Sequence, residues 1–566
     1  MPYRAPVNDY RFLMENIVGF TQVTATEKYS EATPDMADAI LTEAAKMCEA
    51  ILAPLNRSGD LHPAHLENGK VRTSPGYAEG YKAIAEGGWI GMSAGPEVGG
   101  MGLPMTLTTT VNEMMSSACL ALQLNPLMSQ GQIEALEHHA SDEIKALYLP
   151  KLISGEWCGT MNLTEPQAGS DVGALRTKAE PNGDGSYAIT GQKIYISWAD
   201  NDFTENVCHL VLARLPDGVE GTKGISLFMV PKLMPNDDGT VGKHNDLRVV
   251  SLEHKMGLHG SPTAVMEYSG AKGWLVGAEN GGMAAMFTMM NNARLGVGVQ
   301  GLGAAEGAYQ HALSYAMDRK QGKAGGSGAI IEHADVRRML ATMKADVFAA
   351  RTIALMNAVA IDMASATGDD AWKSRAAFLT PIGKAFGTDV GIDVAGMGVQ
   401  VHGGMGFIEE TGAAQFSRDV RVTAIYEGTN GIQAMDLVAR KMMDGGEAAF
   451  AILDEIEANA DVAKASLPEL AKAVWNAAET LRETTEWLVE QDMTDRFAGS
   501  VPYLRAFARV LGGHAHLAAA MAGDAGRLRL ATFYIKRLLP EHASLLAHVR
   551  EGGADLMAIT VDDLLA

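Results

Sequence analysis

A glutamate set between an apolar run and a Gly-Thr turn is an unusual place for a charge. In AIYEGTNGIQ, residues 424–433, Glu427 follows Ile425 and Tyr426 directly and precedes Gly428 and Thr429. Two kinds of chemistry suit it. An acidic side chain can open a helix, because it complements the partial positive charge of the first turn. A carboxylate held in line and shielded from water can also act as a general base. Gly428 then lets the backbone approach a ligand closely. The decapeptide alone favours the helix-start role, so the rest of the chain has to decide.

Two further segments carry small and polar residues suited to ligand contact. NLTEPQAGSDVGALRTKAE places Thr164, Gly169, Ser170 and Asp171 in a turn between β-like runs. Backbone N–H groups and hydroxyls in such a turn can meet a phosphate or a polar ring edge. QVHGGMGF adds Gly403, Gly404 and Gly406. GVGVQG, from Gly296, has dinucleotide-type glycine spacing, but it needs a strand before it and a helix after it. Here it sits inside one helical pattern, where small residues instead let two helices approach. The histidines lack the spacing of a helical metal pair, so no metal is expected. GxSxG is absent.

The elements that must position these residues follow from periodicity. At 566 residues, the chain is too long for one core. It divides by texture into a helical segment 1–156, a β domain 157–280, a helical bundle 281–445 and a further helical domain 446–566. In the first, TPDMADAILTEAAKMCEAILAPLNRSGD reads as a helix ending near Gly59, and an apolar helix spans Met105 to Leu124. Met283, Met286, Phe287 and Met290 trace one helical face, expected in the core. In the tail, Ser466 and Pro468 mark a helix start. Leu470, Val474, Ala477, Leu481 and Leu488 form a stripe that needs a partner surface. The architecture is therefore α+β.

Composition narrows the function. Hydrophobic content of 47% with 20% charged residues describes a globular protein. No run approaches eighteen uninterrupted apolar residues, and MPYRAPVNDYRF has no apolar signal core, so a cytoplasmic protein with no membrane association is expected. Four scattered cysteines argue against a disulfide framework. A net charge of −22 disfavours nucleic acid.

Taken in order, these segments resemble the acyl-CoA dehydrogenase family of flavoproteins. The match runs through GWIGMSAGPEVGGMGL, TEPQAGSDVGALRTKAE, ITGQKIYIS, EHKMGLHGSPT, NNARLGVGVQGLGAAEGAYQHALSYAMDRKQGK, QVHGGMGF and AIYEGTNGIQAMDLVARKM, across about residues 85–441. The opening and the extra tail resemble a longer subgroup that includes 3-methylmercaptopropionyl-CoA dehydrogenases. The resemblance implies an acyl-CoA dehydrogenase-like fold with FAD and an acyl-CoA held by its domains. Glu427 would be the base that removes the α-proton of the thioester. Met161, Leu163, Thr164, Gly169, Ser170, Tyr195 and Ser197 would contact the cofactor, with Arg319, Gln321, Gln400, Gly403, Gly404 and Thr429. Ser170, Asn291, Arg294, Tyr426 and Gly428 would meet the substrate. Arg319 matches a segment that reaches the FAD of a neighbouring subunit, so a homodimer is implied.

Three departures stand out against the family pattern. DRKQGK lacks the usual aromatic residue after Gln321, Gly431 replaces a polar side chain, and Met161 stands where an aromatic is frequent. The implied reaction is α,β-dehydrogenation of a short or medium acyl-CoA, with 3-methylmercaptopropionyl-CoA foremost. The electrons would pass to an electron-transfer flavoprotein. The competing expectations are a short- or medium-chain fatty acyl-CoA dehydrogenase, an acyl-CoA oxidase and a nucleic-acid-binding flavoprotein. The acidic tail argues against the last.

Overall fold

The computed structural model describes residues 3–566 except Asp237 and Ala324; the side chain of Asn291 is also outside the described residues. The chain forms two compact units. One comprises Met1–Thr42, Met105–Glu113 and Arg294–Ala566, the other Glu43–Pro104 and Met114–Ala293.

In the second unit, short runs rich in Val, Ile and aromatic residues between Gly- and Asp-containing turns form a seven-stranded sheet. Its path runs Trp157–Asn162, Asn206–Ala213, Ser226–Pro231, Thr263–Val276, Tyr187–Ser197 and Lys178–Pro181, with Leu247–Leu252 also paired to Thr263–Val276. Only the pairing of Trp157–Asn162 with Asn206–Ala213 is parallel among these. Thr263–Val276 joins the sheet's two parts. Its far end meets Ser226–Pro231, and its near end sets Thr263 opposite Ser197 and Ala264 opposite Ile196. Every residue of Asn206–Ala213 and Ser226–Pro231 is buried. That explains why VCHLVLA reads as a continuous run and not as an alternation. Ile189, Val211, Phe228, Met266 and Tyr268 form the core beside it.

The helix expected to end near Gly59 is broken into Pro34–Met47, a π turn at Cys48–Leu52 and Ala53–Leu61. The one begun at Met105 runs on to His139, with Cys119 out of helical geometry at φ −157° and ψ 86°.

The first unit is built on Ala334–Thr367, Asp370–His402 and the part of Gly282–Asp318 from Arg294 onward. The GVGVQG glycines lie within that last helix. A Cβ on Gly301 would stand 2.5 Å from Thr388 Cα, and one on Gly387 would stand 2.4 Å from the Gly298 carbonyl oxygen. Only glycine permits this approach of two backbones. Ala334–Thr367 is long and apolar enough to cross a membrane, yet 89% of its most apolar window is buried in protein. It is a core helix.

The methionine stripe is corrected. Met286 is fully buried, but Met283, Phe287 and Met290 are half-buried. Ala285, Met286, Met289 and Ala293 form the buried face. Both faces of this segment are apolar, so periodicity alone did not choose between them.

The tail packs as its stripe requires. Leu470, Val474, Ala477, Leu481 and Leu488 are buried on the Pro468–Glu490 helix. That helix begins with Pro468 in its first turn and Leu467 as cap, leaving Ser466 outside it. The Ser500–Ala522 helix lies against Ala334–Thr367, Asp370–His402 and Asn430–Val438. Phe507 meets Phe378 edge-on, with ring centres 5.0 Å apart. Arg509 pairs with Asp346 and Glu541, and Arg505 with Glu541 at 2.8 Å.

Candidate active site

Glu427 does not cap the helix that follows it. Thr429 does, its hydroxyl accepting from the Ile432 N–H at 3.2 Å ahead of Asn430–Val438. Glu427 stands instead in the left-handed region at φ +56°, and Gly428 follows at +84°. A glutamate held there costs about 1–2 kcal/mol, so its surroundings must over-determine the turn. They do. Gln433 donates to the Glu427 carbonyl at 3.1 Å. Lys384 Nζ donates to the Gly428 carbonyl at 2.8 Å and to Asn430 Oδ1 at 2.9 Å. Asn430 Nδ2 reaches Asp389 at 2.7 Å and Thr388 at 3.0 Å. The Tyr426 hydroxyl donates to Gln300.

Electrostatics sets the turn apart as well. Burial pushes the Glu427 carboxyl up to about 7, against the opposing pull of Arg294 and Lys384. A half-buried carboxyl that titrates near neutrality is suited to accept a proton at working pH. Lys384 sits inside the Asp370–His402 helix. Burial lowers it to about 8, against the carboxylates of Glu427 and Asp389. Arg294 is 6% exposed, and its Nε is buried without a hydrogen-bond partner among the described residues. Its Nη1 lies 3.7 Å from Asp436, which also pairs with Arg440 at 2.6 Å. Asp436 thus holds Arg294 at one side while a donor remains unspent, as a site for an anionic or carbonyl ligand would need.

Other expected residues of this unit are exposed. Gln400 lies in the last turn of the Asp370–His402 helix, and Gly403 and Gly404 follow its end, fixed by His402, whose Nδ1 contacts the Gly398 carbonyl at 2.7 Å. The His402 ring stacks on Tyr315 at 4.4 Å. Arg319 and Gln321 lie on an exposed turn, where the Gln321 N–H reaches the Gly328 carbonyl at 3.1 Å.

The second unit gathers its own group. Met161 lies at the end of Trp157–Asn162, and Leu163 and Thr164 continue from it. Lys193 donates to the Leu163 carbonyl and to Glu165, both at 2.9 Å. The Ile194 N–H donates to the Thr164 carbonyl at 2.9 Å. Glu165 accepts from the Arg176 N–H at 2.7 Å and from the Thr177 hydroxyl at 2.6 Å, pinning the far end of the loop. Burial works to raise Glu165, but Lys193 and Thr177 outweigh it and hold it down at about 2. Tyr195 is 61% exposed at φ +60°. Ser197 is two residues on, and Gly169 and Ser170 are open to solvent. A Cβ at Gly169, Gly403 or Gly404 would meet nothing within 4 Å. Within this unit, the open Gly169 and the hydroxyls of Thr164, Ser170 and Ser197 fit a large ligand with a polar ring edge and phosphates, as FAD has.

Sequence reading missed Lys384, Asn430 and Gln433, together with the Glu165–Lys193 pair. One signal was available: Lys384 is the only charge in FLTPIGKAFG.

Family models match in four consecutive segments. The acyl-CoA dehydrogenase N-terminal domain covers residues 34–156, the middle domain 160–271 and the C-terminal domain 280–443. A model described as acetyl-CoA dehydrogenase C-terminal like covers 452–560. The chain belongs to the acyl-CoA dehydrogenase family, and with it to the FAD-dependent oxidoreductases. It is 46% identical over 519 residues to the 3-methylmercaptopropionyl-CoA dehydrogenase of Ruegeria pomeroyi, covering 89% of this chain and 88% of that one. A broad-specificity linear acyl-CoA dehydrogenase of Mycobacterium tuberculosis, FadE5, is 32% identical, with 97% of each chain covered. The fold matches Caenorhabditis elegans ACDH-11, solved in complex with C11-CoA, at a TM-score of 0.81 and 19% identity, covering 94% of this chain and 91% of that one.

Proposed function

We propose that the protein oxidises a short or medium acyl-CoA, foremost 3-methylmercaptopropionyl-CoA, to the 2-enoyl-CoA, with Glu427 as the α-proton base. The single observation that carries the base assignment is a carboxyl raised to about 7 in a turn where Glu427 itself is left-handed at φ +56°. The substrate reading is supported by the 46% identity to the Ruegeria pomeroyi enzyme over most of both chains.

Glu427 accepts the α-proton on its carboxylate oxygen. Charge develops on the thioester oxygen as that proton leaves, so N–H donors must face it. Arg294, with its unspent Nε, orients the ligand. Leu163, Thr164, Gly169, Ser170, Tyr195 and Ser197 would hold the cofactor with Met161, Gln400, Gly403, Gly404 and Thr429, and Arg319 and Gln321 would reach the FAD of a neighbouring subunit. Bound FAD supplies the acceptor for the hydride that leaves the β-carbon.

The same reading includes an electron-transfer flavoprotein as electron acceptor, a homodimer and a cytoplasmic location. It also includes a division at 1–156, 157–280, 281–445 and 446–566. The test is a profile of anaerobic flavin bleaching over acyl-CoA esters. A clear preference for 3-methylmercaptopropionyl-CoA is expected, and a preference for long or branched esters overturns the substrate.

A further inference from the structure

Lys384 is a full positive charge in an apolar helix, yet its two hydrogen-bond acceptors are neutral. They are the Gly428 carbonyl at 2.8 Å and Asn430 Oδ1 at 2.9 Å. A neutral amide could satisfy both. Burying an ammonium costs several kcal/mol more than burying such a donor, so the charge itself needs a reason. The groups that act on it supply one. Glu427 stands in the same turn, Asp389 is tied to it through Asn430 Nδ2 at 2.7 Å, and Arg294 faces it from the Gly282–Asp318 helix. Glu427 in turn feels Arg294 and Lys384, and no other charged group outweighs these two.

We infer that Lys384 is a positioning residue for Glu427, clamping the Glu427–Gly428 turn through the Gly428 carbonyl while placing a second positive charge beside the carboxylate. One contact fixes where the carboxylate points. The charge limits how basic it becomes, so that burial does not leave Glu427 protonated at neutral pH. Arg294 alone would have to balance that burial, and Arg294 is already engaged with Asp436. The inference rests on Glu427 being the proton acceptor.

The test uses the FAD-loaded full chain with butyryl-CoA and 3-methylmercaptopropionyl-CoA as probes. Lys384→Gln keeps a donor and removes the charge; Lys384→Met removes both. Anaerobic flavin reduction is followed against pH. In both variants the midpoint of the rising limb is expected to move up by about one pH unit. At pH 7 kcat should fall about fivefold while KM stays within about twofold. Lys384→Arg should return the midpoint towards that of the wild type. Independently of turnover, the Glu427 carboxyl band in the infrared, identified by its loss in Glu427→Gln, should titrate at the same raised pH.

An unchanged midpoint in a folded Lys384 variant overturns the inference. Glu427→Gln separates this from failure of the base assignment. If that variant still reduces flavin normally, the base assignment has failed. If it is inactive while the Lys384 variants titrate like wild type, only the role of Lys384 has failed. Should neither Lys384 variant fold, Asn430→Ala removes the lysine's side-chain acceptor and leaves its charge. A fall of about fivefold in kcat with an unmoved midpoint supports the clamp; wild-type kcat overturns it.

Discussion

The side-chain amide of Gln433 donates to the main-chain carbonyl of Glu427 at 3.1 Å, so the helix after the turn grips the residue before it. The bond leaves the Glu427 carboxylate uninvolved. A left-handed glutamate at φ +56° is therefore fixed through its backbone, and its side chain remains available to a ligand. Backbone strain held in this way is a feature of functional turns.

The first prediction is that Glu427→Gln folds, retains FAD and binds acyl-CoA, but loses flavin reduction by several orders of magnitude. Glutamine keeps the size of glutamate and lacks a basic electron pair at neutral pH. Anaerobic stopped-flow at the flavin absorbance measures it. Near-normal bleaching would return the base role to another carboxylate.

Stability should respond to pH at the same residue. Glu427 titrates at about 7 in the folded protein against an ordinary 4.5, so the folded state holds the proton more tightly than the unfolded one. The stability this contributes is fully present below about 4.5 and is lost as pH rises through about 7. Glu427→Gln carries no such loss. Its melting temperature relative to wild type should climb between those two pH values and then level off. A constant difference across the range would show that Glu427 titrates normally.

Arg351 is fully buried and pairs with Glu113 at 2.6 Å and Glu306 at 2.7 Å. Arg351→Met leaves the buried Glu113 without its counter-charge and Glu306 with only the more distant pull of Lys344. The expected cost is about 3–5 kcal/mol, because breaking one partner of a buried ion group exposes the full desolvation penalty of the others. Urea unfolding tests this, and a loss below about 1 kcal/mol would contradict it.

Gly301 meets Thr388 and Gly387 across a helix crossing too close for any Cβ. Gly301→Val should force the two backbones apart and cost about 1–3 kcal/mol. The same crossing seats Lys384 and Thr388, so flavin reduction should slow as well. A variant as stable and active as wild type would mean that the crossing adapts freely.

Periodicity alone was enough to show a helical start, a β-rich middle and a helical remainder, because apolar spacing records which face of each element is buried. It also identified the GVGVQG glycines as a helix crossing and the Leu470–Leu488 stripe as a packed face. Local chemistry was legible too: Glu427 stood out because a charge between Tyr426 and Gly428 demands an explanation. Tertiary structure decided the rest. It gave the helix cap to Thr429, chose Met289 over Met290 for the core, and brought Lys384 to a turn 44 residues further along the chain. No local pattern encodes such pairings. Which carbonyl a buried lysine meets depends on where two helices cross, and that crossing is set by side chains and glycines distant from both residues.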